Sequence, residues 1–300
     1  MRLRQIRDFV AVIQAGSLRA AARSLGISQP AMTKSIRQFE EELQVQLLQR
    51  SGRGAVATRA GKAVLARARV VQAELKNIED DLEQLRGKRA GSVVIGASAA
   101  ASVLFVPEAL ARFRRRYPEA SVRLVEGVSD FLLPMVRDAT LDFAIGRKSR
   151  EKLDVAIRFK PLYATQMVIA GRRGHPLRDA KSLRDLAQAS WVRFASPGQS
   201  GLLARMFSLA GLPPPRIMVH CESYTTGLAV LASTDALGML VPQLLAKRYA
   251  PGFLQEIRVK DAMLSVTFGM FSRTHAPLAP AASVMAAAVT AAARRLARSR

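Results

Sequence analysis

Apolar residues recur at helical spacing through the first 85 residues and, beyond residue 90, in short runs of strand length, so the chain reads as two unlike parts. Leu3, Ile6, Phe9 and Ile13 form the apolar stripe of a first helix, which Gly16 ends. Ser17 can cap a second helix with Leu18, Ala21, Ala22 and Leu25 on its buried side. After a tight turn at Gly26-Ile27, Ser28 caps a third helix beginning Gln29-Pro30, where proline is tolerated because first-turn N–H groups lack intrahelical partners. Met32, Ile36, Phe39 and Leu43 face inward, while Gln29, Thr33 and Arg37 stack four apart on another face, with Lys34 beside them. The run Leu47-Leu48-Gln49-Arg50, Ser51-Gly52-Arg53-Gly54, Ala55-Val56-Ala57 predicts a short hairpin with two arginines at its tip. Thr58 caps the next helix, in which Val64, Ala68, Val71, Leu75, Ile78, Leu82 and Leu85 alternate spacings of four and three. Its charged flanks, Glu74, Lys76, Glu79, Asp80, Asp81 and Glu83, argue against all-round burial and for a coiled-coil-like dimer helix. A helix lying on its own domain is the alternative.

The joint Arg86-Gly87-Lys88-Arg89-Ala90-Gly91 has the glycines and charges of a linker. Beyond it, Ser92–Gly96, Val122–Glu126 and Leu141–Gly146 read as strands, with a helix after Ser98 running through Phe113. Tyr163–Ala170 opens a further run of strands, continued at Trp191–Phe194, Ile217–Val219 and Gly238–Val241, and Ser265–Phe271 looks like a return strand before a final helix. Alternating strand and helix predicts a largely parallel sheet with helices on both faces.

Three hundred residues suit two domains, and 49% hydrophobic against 23% charged residues excludes a disordered chain or a small disulfide scaffold. One cysteine, Cys221, excludes an intramolecular disulfide and a thiolate zinc cluster, fits a reducing cytoplasm, and reads as a buried structural thiol. His175, His220 and His275 show no metal-ligand spacing, and no metal or cofactor is expected. The first 25 residues lack a signal-peptide core. The uncharged stretch 276–293 is alanine-rich with Pro277 and Pro280, a packed helix rather than a membrane span, and no membrane association is expected. The net charge of +23 points to a polyanion, nucleic acid first; abundant arginine from codon bias is the bland alternative. It is spread along the chain: +5 over 1–58, +3 over 59–90 and +15 over 91–300.

Two helices across a glycine turn, the second with a stripe of long polar donors, read as a helix-turn-helix. Arg can read guanine and Gln adenine in the major groove, and a basic hairpin can reach flanking phosphates. The runs Gly16-Ser17-Leu18-Arg19-Ala20-Ala21-Ala22, Leu25-Gly26-Ile27-Ser28-Gln29-Pro30-Ala31-Met32-Thr33, Ile36–Glu40, Leu47–Arg50 and Thr58–Gly61 resemble the LysR-type transcriptional regulators, and the resemblance covers essentially the whole chain. Gln44 departs from the usual glycine after the third helix, and Leu48 from the usual phenylalanine of the wing strand.

The resemblance implies an α/β protein overall. An all-α winged helix-turn-helix head occupies 1–58, with a linker and dimerisation helix over 59–90. A two-lobed α/β effector domain like periplasmic binding proteins fills 91–300, with lobe I about 91–163 and 269–300 and lobe II about 164–268. It implies DNA contacts from Ser17, Arg19, Ser28, Gln29, Pro30, Ala31, Thr33, Lys34, Arg37, Arg50 and Arg53. Its expected partners are double-stranded promoter DNA, RNA polymerase and further copies of the chain, dimers pairing into tetramers, in a bacterial cytoplasm at the nucleoid. Small residues at strand ends that lead into helices suit an anion. The effector set is Ser98, Ala99, Ala100, Ser102, Ser129, Ser196, Gly198, Ser200, Tyr224 and Thr225, for a small organic anion, aromatic carboxylate or sulfonate, held without a dedicated arginine. Leu104, Phe131 and Leu202 are expected as apolar walls.

No Ser-His-Asp arrangement or glycine-rich phosphate loop appears, so no catalysis is expected; an α/β enzyme or solute-binding domain fused to a DNA-binding head is the alternative. Asp142 inside a strand reads as an orderer of backbone, and His175 as a turn feature.

Overall fold

The structure is a computed structural model that describes residues 1–51, 54–86, 91–148, 153–194, 201–221, 223–245 and 252–298. It divides into two compact units, Met1–Lys88 with Arg137–Thr140, and Arg89–Val136 with Leu141–Arg300.

In the first unit, helices α1 (Leu3–Ala15), α2 (Leu18–Ser24) and α3 (Gln29–Leu43) precede the hairpin β1 (Leu48–Ser51) and β2 (Gly54–Ala57) and the long helix α4 (Arg59–Leu85). Phe9, Met32, Ile36, Phe39 and Leu47 are buried at its centre, with Phe9 and Phe39 edge to face at 6.0 Å. Leu3 belongs to the predicted stripe but is exposed in the first turn; Ile6, Phe9 and Val10 carry the burial instead. Gly16 and Gly26 take positive φ at the two turns. Gln44, in the glycine position, does the same at φ 52 and ends α3, so the departure leaves the helix end in place. The α4 seam divides: Leu65 and Ala68 are buried on the head and Val64 and Val71 partly so, whereas Leu75, Ile78 and Leu82 are 38%, 56% and 49% exposed.

The second unit holds two five-stranded sheets. The first is ordered β4 (Ser121–Glu126), β3 (Ser92–Ala97), β5 (Phe143–Arg147), β12 (Ser265–Arg273), β6 (Ile157–Gln166). The second is β11 (Leu254–Ile257), β7 (Val168–Arg172), β10 (Ala236–Leu240), β8 (Ser190–Arg193), β9 (Arg216–His220). Each sheet is mixed rather than largely parallel. Three neighbouring strands pair in parallel in each, but a single strand runs against the other four: β12 is antiparallel to its neighbours β5 and β6, and β7 to β10 and β11. The paired strands β6 and β12 stay in the first sheet out to Gln166 and Ser265, so the change of sheet falls slightly beyond the expected lobe boundary.

The helix expected through Phe113 is two, α5 (Ala99–Leu104) and α6 (Val106–Arg116). Pro107 has no N–H to donate and its ring would meet the carbonyl four residues back, so the helix restarts with proline in its first turn. The break turns Phe105 into the core against Tyr163 and Phe268. Helices α7 (Ser129–Arg137), α8 (Leu202–Leu209), α9 (Tyr224–Ser233) and α10 (Pro280–Arg298) complete the unit. From Pro280 onward the alanine-rich stretch lies in α10 and packs into the core shared with α6, and no described helix is long and apolar enough to cross a membrane. Asp142 does order backbone: its Oδ2 accepts the Val94 N–H at 2.7 Å, and its own N–H donates to the Val94 carbonyl.

His175 is buried in its turn. Its Nδ1 accepts the Leu177 N–H at 3.0 Å, which leaves Nε2–H to donate to the Asp235 carbonyl at 3.0 Å. Both ring nitrogens are thus occupied by backbone. His175→Ala leaves a donor and an acceptor unpaired in the interior, and we expect a loss of about 2 kcal/mol in urea unfolding; an unchanged midpoint would show that water replaces the ring.

Candidate nucleic-acid interface and effector cavity

The α3 face carrying Gln29, Lys34 and Arg37 is exposed, with Thr33 and Ala31 half-buried beside it, because Met32, Ile36 and Phe39 take the opposite face into the core. Pro30 and Arg19 are exposed as well. The Ser17 and Ser28 hydroxyls accept the Ala20 and Ala31 N–H groups at 3.1 and 3.3 Å, so both serine side chains act as helix caps.

Three polar contacts fix the presentation of α3. The fully buried Asp8 carboxylate of α1 accepts from Ser35 Oγ of α3 at 2.6 Å. From the C-terminal half of α3, Glu40 Oε1 accepts the N–H groups of Leu47 and Leu48 at 2.8 and 3.0 Å, which ties the hairpin to the helix. The Ala55 N–H donates to the Gly16 carbonyl at 2.8 Å, and a Cβ on Gly54 would stand 2.4 Å from that oxygen, so glycine is what lets the hairpin seat on the α1–α2 turn. Asp8 and Glu40 were not singled out in the sequence; a carboxylate on the inward side of an otherwise apolar pattern is the signal that marks Asp8. Arg53 and the Arg50 side chain lie outside the described residues.

The second unit contains a cavity of about 410 Å³ walled by residues of both sheets. Ser98, Ala99, Ala100, Ser129 and Tyr224 of the expected effector set line it. Ser102 and Thr225 do not: Ser102 Oγ is buried away from the cavity without a partner, and Thr225 is exposed. Ser196, Gly198 and Ser200 fall outside the described residues. Of the expected walls Leu202 is present, but Leu104 belongs to the core beneath, and Phe131 is 55% exposed and off the lining. An exposed position on α7 and a buried one on α5 both fit the apolar pattern, which does not say which side of a helix meets a cavity. The aromatic wall is made instead by Phe194 and Tyr224, 4.7 Å apart, with Phe268. Burial pushes the Tyr224 phenol up, so it stays a neutral donor.

Two arginines, Arg147 and Arg193, line the cavity, contrary to the expectation of a site without one. Each is the last residue of its strand, β5 and β8, at the C-terminal strand ends where open α/β sheets bind ligands; that position was the signal available in the sequence. No hydrogen bond or ion pair from the described residues reaches the Arg147 guanidinium, and burial draws its pKa below the usual value. Ser98 Oγ is buried and has no hydrogen-bond partner. Ser98 and Ser129 flank Gly146, whose Cβ would lie 3.6 Å from Ser129 Oγ and 3.9 Å from Ser98 Cβ, and both serines line the cavity together with Arg147. Cys221, which follows β9 of the second sheet, is buried on the cavity lining, and its thiol donates to the Ser223 carbonyl at 2.9 Å. Among the described residues no group of His, Cys, Asp and Glu could hold a metal ion.

Residues 3–62 match the model of the bacterial regulatory helix-turn-helix protein, lysR family, and residues 86–294 that of the LysR substrate binding domain. The HTH-type transcriptional regulator GbpR of Azospirillum brasilense is 31% identical over 299 residues, 97% of this chain and 86% of its own. The SDS degradation transcriptional activation protein of a Pseudomonas species is 28% identical over 289 residues, 94% of each chain. Full-length CbnR, solved in complex with its target DNA, shares the fold at a TM-score of 0.68 and 24% identity, over 97% of this chain and 100% of that one. A head whose recognition helix is held open to solvent, a domain with a ligand-sized cavity and two matching family models together place this chain in the LysR family of bacterial transcriptional regulators.

Proposed function

We propose that this regulator senses a small organic anion, an aromatic carboxylate or sulfonate, in the cavity of its effector domain, and that α3 reads the operator while the hairpin grips flanking phosphates. The observation that carries the ligand class is the Arg147 guanidinium, without a counter-ion among the described residues, on the same cavity lining as Ser98, whose hydroxyl is buried without a partner. A buried cation that the protein itself leaves uncompensated is stabilised by an incoming acid group through charge-assisted hydrogen bonds. The Phe194–Tyr224 pair offers an aromatic ring an edge and a face. The relative whose name couples it to SDS degradation, the breakdown of an alkyl sulfate, supports an acid of this kind. Because the walls come from two sheets, an anion that touches both biases the angle between them, and through it the placement of the DNA-binding heads. Dimers formed along α4 and paired into tetramers, contact with RNA polymerase, and residence at the nucleoid in the cytoplasm complete the reading.

On the DNA side, Gln29 and Arg37 meet base edges, Thr33 and Lys34 lie beside them, and Ser17, Arg19, Ser28, Pro30, Ala31, Arg50 and Arg53 position the backbone. Arg37→Ala and Gln29→Ala are expected to cost about 1–3 kcal/mol each on operator DNA and little on random duplex. Arg50→Ala and Arg53→Ala are expected to weaken both alike and to flatten the log-affinity against log-salt slope by about 0.9 each. Equal losses on both duplexes for Arg37→Ala would remove it from the reading set.

A further inference from the structure

We propose that Gly227 sets how large an aromatic ring the effector cavity admits, by housing the tip of Phe194 and so holding that ring off the ligand space. This rests on the reading of the cavity as the effector site. Gly227 is buried in α9, three residues after Tyr224, and its N–H donates to the Ser223 carbonyl at 3.0 Å as in a regular helix. Glycine weakens a helix at such a position, and no positive φ asks for one here. What it makes room for is a side chain. A Cβ built on Gly227 would overlap Phe194 Cε1 and stand 2.8 and 3.0 Å from Cζ and Cδ1 of the same ring.

Phe194 directly follows β8, and its ring also meets Gly238 of β10, where a Cβ would stand 3.4 Å from Phe194 Cε2. Two glycines, one on a helix and one on a strand, thus form a notch that takes the outer edge of the ring. The same ring lines the cavity and lies 4.7 Å from that of Tyr224, tilted by 40°. It therefore has α9 and β10 on one side and ligand space on the other. A methyl group at position 227 fills the notch. The clash falls on the far end of a side chain that can rotate, not on backbone, so the helix keeps its course and the ring turns out into the cavity. A cavity of about 410 Å³ can take it, at the expense of the space beside Tyr224. A single ring whose acid group sits at Arg147 and Ser98, on the wall formed by the first sheet, leaves that space unused. A fused second ring needs it. With glycine at 227 the site accepts the larger, bicyclic acid.

The test uses the full-length protein and two pairs of ring sizes in titration calorimetry: 2-naphthoate with benzoate, and the neutral 2-naphthol with phenol. Wild type is expected to bind 2-naphthoate at least as tightly as benzoate. Gly227→Ala is expected to weaken 2-naphthoate by about tenfold or more and to change benzoate by less than about threefold, because overfilling a packed site penalises the larger ligand. Phe194→Ala removes the ring that the methyl group displaces, so Phe194→Ala and the double variant should show the same ratio of the two affinities. A wild type that binds benzoate and excludes 2-naphthoate overturns the proposal. So do equal effects of Gly227→Ala on both ring sizes, and a size penalty that persists when Phe194 is absent. A Gly227→Ala chain that no longer folds while the double variant does shows that the ring has no way into the cavity, which overturns it too. If neither acid binds wild type but the neutral pair shows the same split, the acid reading of the site falls and the role of Gly227 stands. Failure of all four compounds to bind removes both.

Discussion

Replacing Leu75 and Ile78 by glutamate will turn the protein monomeric at micromolar concentration and weaken operator binding by about two to four orders of magnitude. The two side chains are large, apolar and 38% and 56% exposed on a helix whose earlier turns are already seated on the head through Leu65 and Ala68. A seam that leaves its own domain midway exposes an apolar stripe that a second copy of the same helix can cover by knobs-into-holes packing. Two glutamates per chain place like charges across that seam and remove the apolar burial in the same step. Operator affinity falls with it because two linked heads bind DNA with an effective concentration that single heads lack, a factor of about 10²–10⁴. Sedimentation velocity and operator titration measure the two effects. Lys76→Glu changes charge on the flank of the same helix and should leave the dimer in place. A double variant that sediments as a full dimer would locate the subunit contact elsewhere.

Gly61→Ala is expected to destabilise the DNA-binding head by about 3 kcal/mol, enough to unfold a large fraction of it at 37 °C. Gly61 sits in the first turn of α4, where a Cβ would lie 2.0 Å from the Leu47 carbonyl oxygen and 3.3 Å from Ala57 Cβ. That oxygen cannot move freely, because it accepts the Thr58 N–H at 2.9 Å and belongs to the residue that Glu40 anchors to α3. Relief of the clash therefore shifts the start of α4 or the entry to the hairpin. Thr58 Oγ1 also accepts the Gly61 N–H at 3.0 Å, so the helix cap is disturbed in the same place. Gly211→Ala is the contrast: no atom lies within 4 Å of its Cβ position, and only its φ of +66 resists, for a cost of about 1 kcal/mol. Thermal unfolding of the two variants, with operator binding as a second readout for the head, gives the comparison. Equal midpoints would show that α4 accommodates the methyl group by sliding along the hairpin.

The sequence by itself determined the kinds of element and the architecture they build, because those follow from short-range periodicity. The stripe Met32, Ile36, Phe39 sets which face of α3 is inward, and hence that Gln29 and Arg37 point away from the core. The serine caps, the glycine turns and the strands of the second unit are equally local. Even the break at Phe105 was written there, since Pro107 interrupts the helical pattern by its missing N–H; only the extent of the predicted helix concealed it. What the tertiary structure decided was which neighbour covers each apolar face and which charged groups come to share one space. Leu3 and Phe131 fit apolar stripes but lie where nothing packs on them, and the seam of α4 changes from covered to exposed between Val71 and Leu75. The arginines of the cavity are the clearest case. Arg147 and Arg193 end strands of different sheets, and in sequence each is one arginine among many in a chain of net charge +23. Their shared cavity exists only once two sheets close on it, because solvation and Coulomb interaction depend on distance in space and not on separation along the chain.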